Sequence, residues 1–235
     1  MDDRADLTQV IWLDNLLSMR ITAPPAGQVD NRAEARRAQI IAATIDLLAA
    51  EGITGASFGR IVKAANLSST RLISYHFASK EALLQAVFGA VVAEAAARMR
   101  PALDAQPTAV GKLEAYIRSN LAFLAAYPKH AKAVVEIARG GSMPTSETSA
   151  DQPTASDDKP EAVDVAVLLL AQLFSMGQAA GEMRDFDPVI MARALRASID
   201  TVAVIVATTP SIDIDHYANE LVALFVRASA PEGTR

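Results

Sequence analysis

"LSSTRLISYHFASKEALL", residues 67–84, decides how this chain is read. Its last third is a helix start: Ser79 is an N-cap, followed by Lys80, Glu81 and the apolar pair Leu83 and Leu84. Its middle is a second, shorter helix, with Leu72, Ile73 and Phe77 apolar and Arg71, Ser74 and Tyr75 polar. Ser68 or Ser69 can cap that helix. Just upstream, "SFGRIVKAAN", residues 57–66, carries Phe58, Ile61, Val62 and Ala65 at helical spacing behind Ser57 as N-cap. Asn66 is the turn residue between the two, because Asn tolerates the left-handed region. Two short helices joined by a turn of three or four residues read as a helix-turn-helix.

Working outward, residues 33–52 form a longer helix on the stripe Ile40, Thr44, Leu47 and Leu48. Gly52 ends it as a C′ glycine and Ile53 closes over it. The helix opened by Ser79 runs to about Arg100, where Pro101 ends it. Further helices are expected near 110–126, 129–139, 161–181, 188–207 and 213–229. Asp187 before Pro188 opens one of them and Asp213 or Asp215 the last, which carries Tyr217, Leu221, Leu224 and Phe225 on one stripe. No strand pattern or fixed-period repeat appears, so the fold class is all-α. A three-helix helix-turn-helix domain is expected at 32–78 and a helical ligand-binding and dimerisation domain at 79–235. Residues 1–31 read as a flexible N-terminal extension. Residues 140–160, rich in Gly, Ser, Thr, Asp and Pro, read as a mobile loop because they cannot bury a core.

Composition narrows the function. Of 235 residues, 51% are hydrophobic and only 5% aromatic, a balance of Ala, Leu, Val and Ile that suits packed helices. The net charge of -5 argues at first against a nucleic-acid partner, but its distribution reverses that. Residues 31–80 carry seven Lys/Arg against three Asp/Glu, a net +4, on a chain acidic on both sides. A local positive potential suits a polyanion, and the acidic remainder keeps the rest of the surface off it. With no cysteine there is no disulfide and no Cys-ligated metal. The N-terminus lacks the pattern of a secretory signal, and the runs 163–170 and 202–207 fall short of the roughly 20 residues of a membrane span. A cytoplasmic protein without a membrane partner is expected. The three His, at 76, 130 and 216, show no ligand spacing, and no catalytic or phosphate-binding motif is present. The chain reads as no enzyme, with no cofactor and no metal.

In the helix-turn-helix frame, Ser69, Thr70 and Arg71 stand at the exposed start of the recognition helix. Arg is the side chain best matched to guanine O6 and N7 in the major groove. Leu72 and Ile73 face the core, and Phe77 plugs it. Tyr75 and His76 place a hydroxyl and an imidazole where they can reach phosphate, as Lys80 can at the next helix start. Arg36 and Arg37 are either phosphate contacts or solvated.

Three stretches, "RRAQIIAATIDLLAAEG" (36–52), "SFGRIVKAANLSS" (57–69) and "YHFASKEALL" (75–84), resemble the TetR family of tetracycline-repressor-like transcriptional regulators. The likeness by motif covers residues 32–88. It implies about nine helices, a homodimer on a palindromic double-stranded DNA operator, and a variable pocket whose small-molecule effector releases the operator. The candidate DNA-binding set is Arg36, Arg37, Ser57, Ser69, Thr70, Arg71, Ser74, Tyr75, His76 and Lys80. Two departures stand out. Asn66 takes the place of the family's turn glycine, and the spacing from Ser68 to Phe77 is one residue longer than usual, so the backbone-contacting tyrosine maps to Tyr75 or to the Ser74 position.

In the regulatory body, Met99, Phe123, Tyr127, His130, Phe174 and Met176 are candidate pocket lining, with Tyr127 and His130 the polar members; Met183 is a further apolar candidate. The last two helices carry apolar residues on both inner and outer sides, so Leu195, Ile199, Val202, Leu221, Leu224 and Phe225 are the expected dimer interface. The leading reading is a ligand-responsive DNA-binding repressor. The alternative is an all-α small-molecule carrier or interaction module with a vestigial helix-turn-helix.

Overall fold

A computed structural model of the chain describes residues 31–140, 165–209 and 211–231. The expected N-terminal extension and the expected loop at 140–160 lie outside these residues, apart from Asn31 and Gly140. The described residues form helices and turns: α1 (Asn31–Gly55), α2 (Phe58–Ala64), α3 (Arg71–His76), α4 (Lys80–Asp104), α5 (Ala109–Ala126), α6 (Pro128–Arg139), α7 (Val165–Ala179), α8 (Pro188–Thr208) and α9 (Ile214–Ser229).

Local chemistry accounts for most boundaries. Gly52, with φ 69° and ψ −172°, breaks α1 where the sequence placed its stop, and the chain resumes one more turn behind it. The Ser79 hydroxyl accepts from Ala82 N at 3.1 Å. Asp187 Oδ1 accepts from Val189 N and Ile190 N at 2.9 and 3.0 Å, with Pro188 in the first helical turn. Of the two candidates for the last cap, Asp213 takes the role, accepting from His216 N at 3.0 Å. Pro101 does not end α4, contrary to expectation; the helix runs through it to Asp104. The cost of an interior proline, about 3 kcal/mol, is offset by the turn beyond it. Leu103 of that turn, together with Met99 just before the proline, is buried against Ala115, Tyr116 and Leu169.

Two main cores result. The first joins Ile40, Ile45 and Leu48 of α1, Ile61 of α2, Ile73 and Phe77 around α3, and Leu83, Leu84, Val87 and Val91 of α4. Phe123, Ala133 and Ile137, from α5 and α6, complete it. The helix-turn-helix therefore rests on α6 as well as on α4. The second core lies among α5, α7, α8 and α9. Helices α1 and α4 are each 25 residues and apolar enough to cross a membrane by length and composition. Here each turns one stripe into a core.

The second core corrects the expected interface. Leu195, Ile199, Val202 and Phe225, exposed by 0 to 4%, are buried in the chain's own body and are not available to a second chain. They line the inner stripes of α8 and α9, which pack on α5. Leu221 is half-buried against the same core. Of the six residues, Leu224 alone is exposed, so it leaves the stripe of Tyr217, Leu221 and Phe225 on which the sequence had placed it.

Candidate nucleic-acid interface

The turn between α2 and α3 is a complete Schellman closure. Leu67 N donates to Val62 O at 2.9 Å and Asn66 N to Lys63 O at 3.2 Å. Asn66 takes φ 48°, the left-handed conformation the turn requires. Leu67 and Val62 then pack side by side against the first core. This explains how Asn serves where a glycine is usual: at this φ its side chain is tolerated and points to solvent.

Helix α3 starts later than expected. Thr70 is its N-cap, not Ser68 or Ser69, and no side-chain cap bond forms. Backbone bonds hold the entry instead, with Leu72 N donating to Ser69 O at 3.3 Å and Ile73 N to Thr70 O at 3.0 Å. The consequence is functional: the hydroxyls of Ser68, Ser69 and Thr70 are exposed and carry no hydrogen bond to any described residue. Arg71, Ser74 and Tyr75, at i, i+3 and i+4, share the outward face of α3. Tyr75 is 80% exposed, while Ile73 is fully buried and Phe77 nearly so on the opposite side. Leu72 is only half-buried and outside the core cluster, so of the pair expected to face inward Ile73 alone does so fully.

Around this face the other candidates fall into two groups. Ser57 is exposed at the start of α2 and its hydroxyl makes no cap bond. Arg36 is half-buried and bonds Gln39 Oε1 at 2.8 Å; Gln39 in turn donates to Ala65 O at 2.6 Å. Arg37 has an internal task. Its Nη1 donates to His76 O at 3.1 Å and its guanidinium lies 4.4 Å from the centre of the Phe77 ring. It thus ties α1 to the end of α3. His76 is half-buried between Tyr75 and Phe77, its ring edge-on to Tyr75 at 5.1 Å. Lys80 Nζ donates to Ile53 O at 3.0 Å, one hydrogen of three, which caps the end of α1. Beside it the Glu81 carboxyl is held below the usual carboxylate range. Its own backbone N–H is the main cause, then the Ser79 hydroxyl, with a smaller help from the Lys80 charge.

The candidate pocket residues are not all brought together. Met99 belongs to the small cluster at the end of α4. Phe174 is fully buried in the second core, edge-on to Phe186 at 5.4 Å. Met183 is buried in that core against Gly177, and Met176, the residue before that glycine on α7, is half-buried. Phe123, Tyr127 and His130 do meet, with ring centres 5.0 to 6.2 Å apart, at the junction of the two cores. Glu94 of α4 reaches this group, its Oε2 3.3 Å from His130 Nε2, and Arg98 covers the Tyr127 ring at 4.4 Å.

Sequence reasoning missed some groups. Lys63 and Asn66 are exposed beside the recognition turn; the sign was there in the charge of the segment, but the helix register was needed to orient them. Lys112 is buried on α5, where periodicity alone reads a lysine as surface. Glu182 accepts from Ala109 N and Val110 N at 2.6 and 3.2 Å and so caps α5 from 72 residues away, which no local pattern announces.

A buried apolar anchor behind a short helix, with Arg, Ser and Tyr on its outer face, has the arrangement of a helix-turn-helix beside a helical companion body. Residues 40–87 match the model of bacterial regulatory proteins of the tetR family. That segment is 48 of the chain's 235 residues, and over it the chain is similar to the tetR family. Two curated relatives, the HTH-type transcriptional regulators BetI of Paraburkholderia phymatum and Paraburkholderia phytofirmans, are each 34% identical over 90 residues, 37% of this chain. The match spans less than half of either relative, 44% and 45%. Over the whole fold, FadR of Bacillus subtilis, solved with stearoyl-CoA, aligns at a TM-score of 0.61, covering 81% of this chain and 98% of its own at 20% identity. NalD of Pseudomonas aeruginosa, the secondary repressor of a multidrug efflux pump, aligns at 0.59, covering 86% and 99% at 17% identity.

Proposed function

We propose that this protein is a homodimeric transcriptional repressor of the bacterial cytoplasm that leaves a palindromic DNA operator when a small molecule binds its body. One observation carries the reading: Ser69, Thr70, Arg71, Ser74 and Tyr75 form an outward polar face whose side chains make no hydrogen bond to described residues, on a helix anchored by Ile73 and Phe77. Polar groups so arranged on a major-groove-sized helix suit base edges and phosphates. The repressor and effector elements are carried over from NalD and from FadR with its stearoyl-CoA. In this reading Tyr127 and His130 stand at the joint through which the body reaches the helix-turn-helix.

The homodimer of this reading uses outer faces. On α8, Ile190, Ala194, Ala197, Thr201 and Val204 form an exposed stripe of small and apolar residues opposite the buried one, and Leu224 of α9 is 57% exposed. Pairing such faces across a two-fold axis brings two recognition helices onto one side of the duplex.

The test is capture of genomic fragments by the purified full chain, followed by gel-shift titration of the enriched site and of scrambled DNA. Tight binding to a palindrome, released by a titrated small molecule with stearoyl-CoA as the first probe, supports the reading. No preference for any fragment over scrambled DNA overturns it.

A further inference from the structure

Several glycines here have an internal reason to be glycine. Gly52 and Gly181 hold φ of +69° and +71°, which side chains rarely adopt. At Gly55, Gly140 and Gly177 an added Cβ would fall 2.3, 2.2 and 2.7 Å from Glu51, Ile53 and Met183. Gly59 shares neither reason. Its φ is not in the left-handed range, and a Cβ built on it meets nothing within 4 Å. It is the second residue of α2, a helix of only seven residues. There a glycine costs up to about 1 kcal/mol against alanine. Within the protein, then, Gly59 is a loss without a return.

The face it belongs to says what it is for. Lys63, four residues on, lies one helical turn away on the same side and is exposed. Lys63 has no ion pair among the described residues, whereas Arg60, turned to another side, is paired with Glu51. Ser57 and Asn66 are exposed at the two ends of α2 and add polar groups to the surface around it. A bare backbone lets another body come to van der Waals contact with the helix. A solvent-facing ammonium one turn away selects a polyanion as that body.

We propose that Gly59 is a positioning residue for DNA: the sugar-phosphate backbone lies directly against α2 there, with Lys63 on a phosphate, which sets the depth at which α3 enters the groove. This deepens the regulator reading above and rests on it. The missing side chain is a clearance, so its loss acts through size and not through charge.

The experiment uses the full chain and the fragment it captures. Gly59→Ala, Gly59→Gln and Lys63→Ala are compared by thermal melting and by gel-shift titration over a salt series. Gly59→Ala is expected to raise the melting temperature yet weaken the operator complex roughly threefold, and Gly59→Gln ~10-fold or more, since each tenfold is a modest interaction energy. The salt dependence of both stays that of the natural chain. Lys63→Ala weakens specific and scrambled DNA together and lowers the salt slope by about one phosphate. If Gly59→Ala and Gly59→Gln melt at or above the natural temperature and bind the operator unchanged, the clearance is unused and the proposal fails. If the natural chain captures no fragment, the regulator reading fails and this proposal with it.

Discussion

The recognition face and the body use polar side chains in opposite ways. On α3 and its approach, the side chains of Ser69, Thr70, Arg71, Ser74 and Tyr75 make no hydrogen bond to any described residue. At the end of α7 and in the loop that follows it, polar side chains are tied to backbone. Glu182 holds the start of α5, Arg184 Nε donates to Ala228 O at 2.7 Å at the end of α9, and Gln178 Nε2 donates to Phe186 O at 2.9 Å. A polar side chain bonded inward fixes geometry. One that is exposed and idle stabilises nothing in the monomer, and its type is free to be set by an external partner.

Substitutions can break or sharpen that contrast. The largest effect belongs to the body's interior. Phe225→Ala is expected to lower the unfolding free energy by about 3–5 kcal/mol, whereas Leu224→Ala, its exposed neighbour, stays within roughly 0.5 kcal/mol. Urea unfolding of the two variants checks this; equal losses would show that the inner and outer faces of α9 are misassigned. Sedimentation of a Leu224→Glu variant then asks whether the outer face pairs two chains, with a monomer that still folds as the expected result.

Next comes the inward-bonded loop. Glu182→Ala leaves the N–H groups of Ala109 and Val110 without their carboxylate, a loss of about 1.5–3 kcal/mol in stability, and base preference at the operator is unchanged. Arg71→Ala reverses this pattern. Its melting temperature holds, while operator affinity falls by about 1–3 kcal/mol and discrimination relaxes at one base position. Equal losses on operator and scrambled DNA for Arg71→Ala would reduce it to a phosphate contact.

The smallest effects lie at exposed charges. Lys129 and Asp46 pair across α6 and α1 at 2.6 Å, but both are more than half exposed. Lys129→Ala is therefore expected to change the urea midpoint by less than about 1 kcal/mol equivalent. Glu81 adds a pH signature. Its carboxyl is held low in the folded chain, so its contribution is present above the pKa of the unfolded carboxyl and is lost as pH falls through the folded one. The difference in urea midpoint between the natural chain and Glu81→Gln should accordingly shrink on acidification; a difference that grows would reverse the sign.

Local chemistry, read from the chain alone, determined much of this molecule. The Asn66 turn, the caps at Ser79 and Asp187, the break at Gly52 and the buried Ile73 and Phe77 all depend on neighbours within a few residues, which the sequence displays directly. The outward placement of Arg71, Ser74 and Tyr75 follows from helical spacing for the same reason. Tertiary packing alone decided the rest. Pro101 stays inside α4 because distant α5 and α7 hold the turn beyond it. Arg37 serves His76 because folding brings together groups 39 residues apart. The apolar residues of α8 and α9 divide between a private core and an outer face, and their sequence pattern is the same for both. Spacing reports which residues share a side of a helix; which side meets α5 and which meets solvent is set by where the other helices pack.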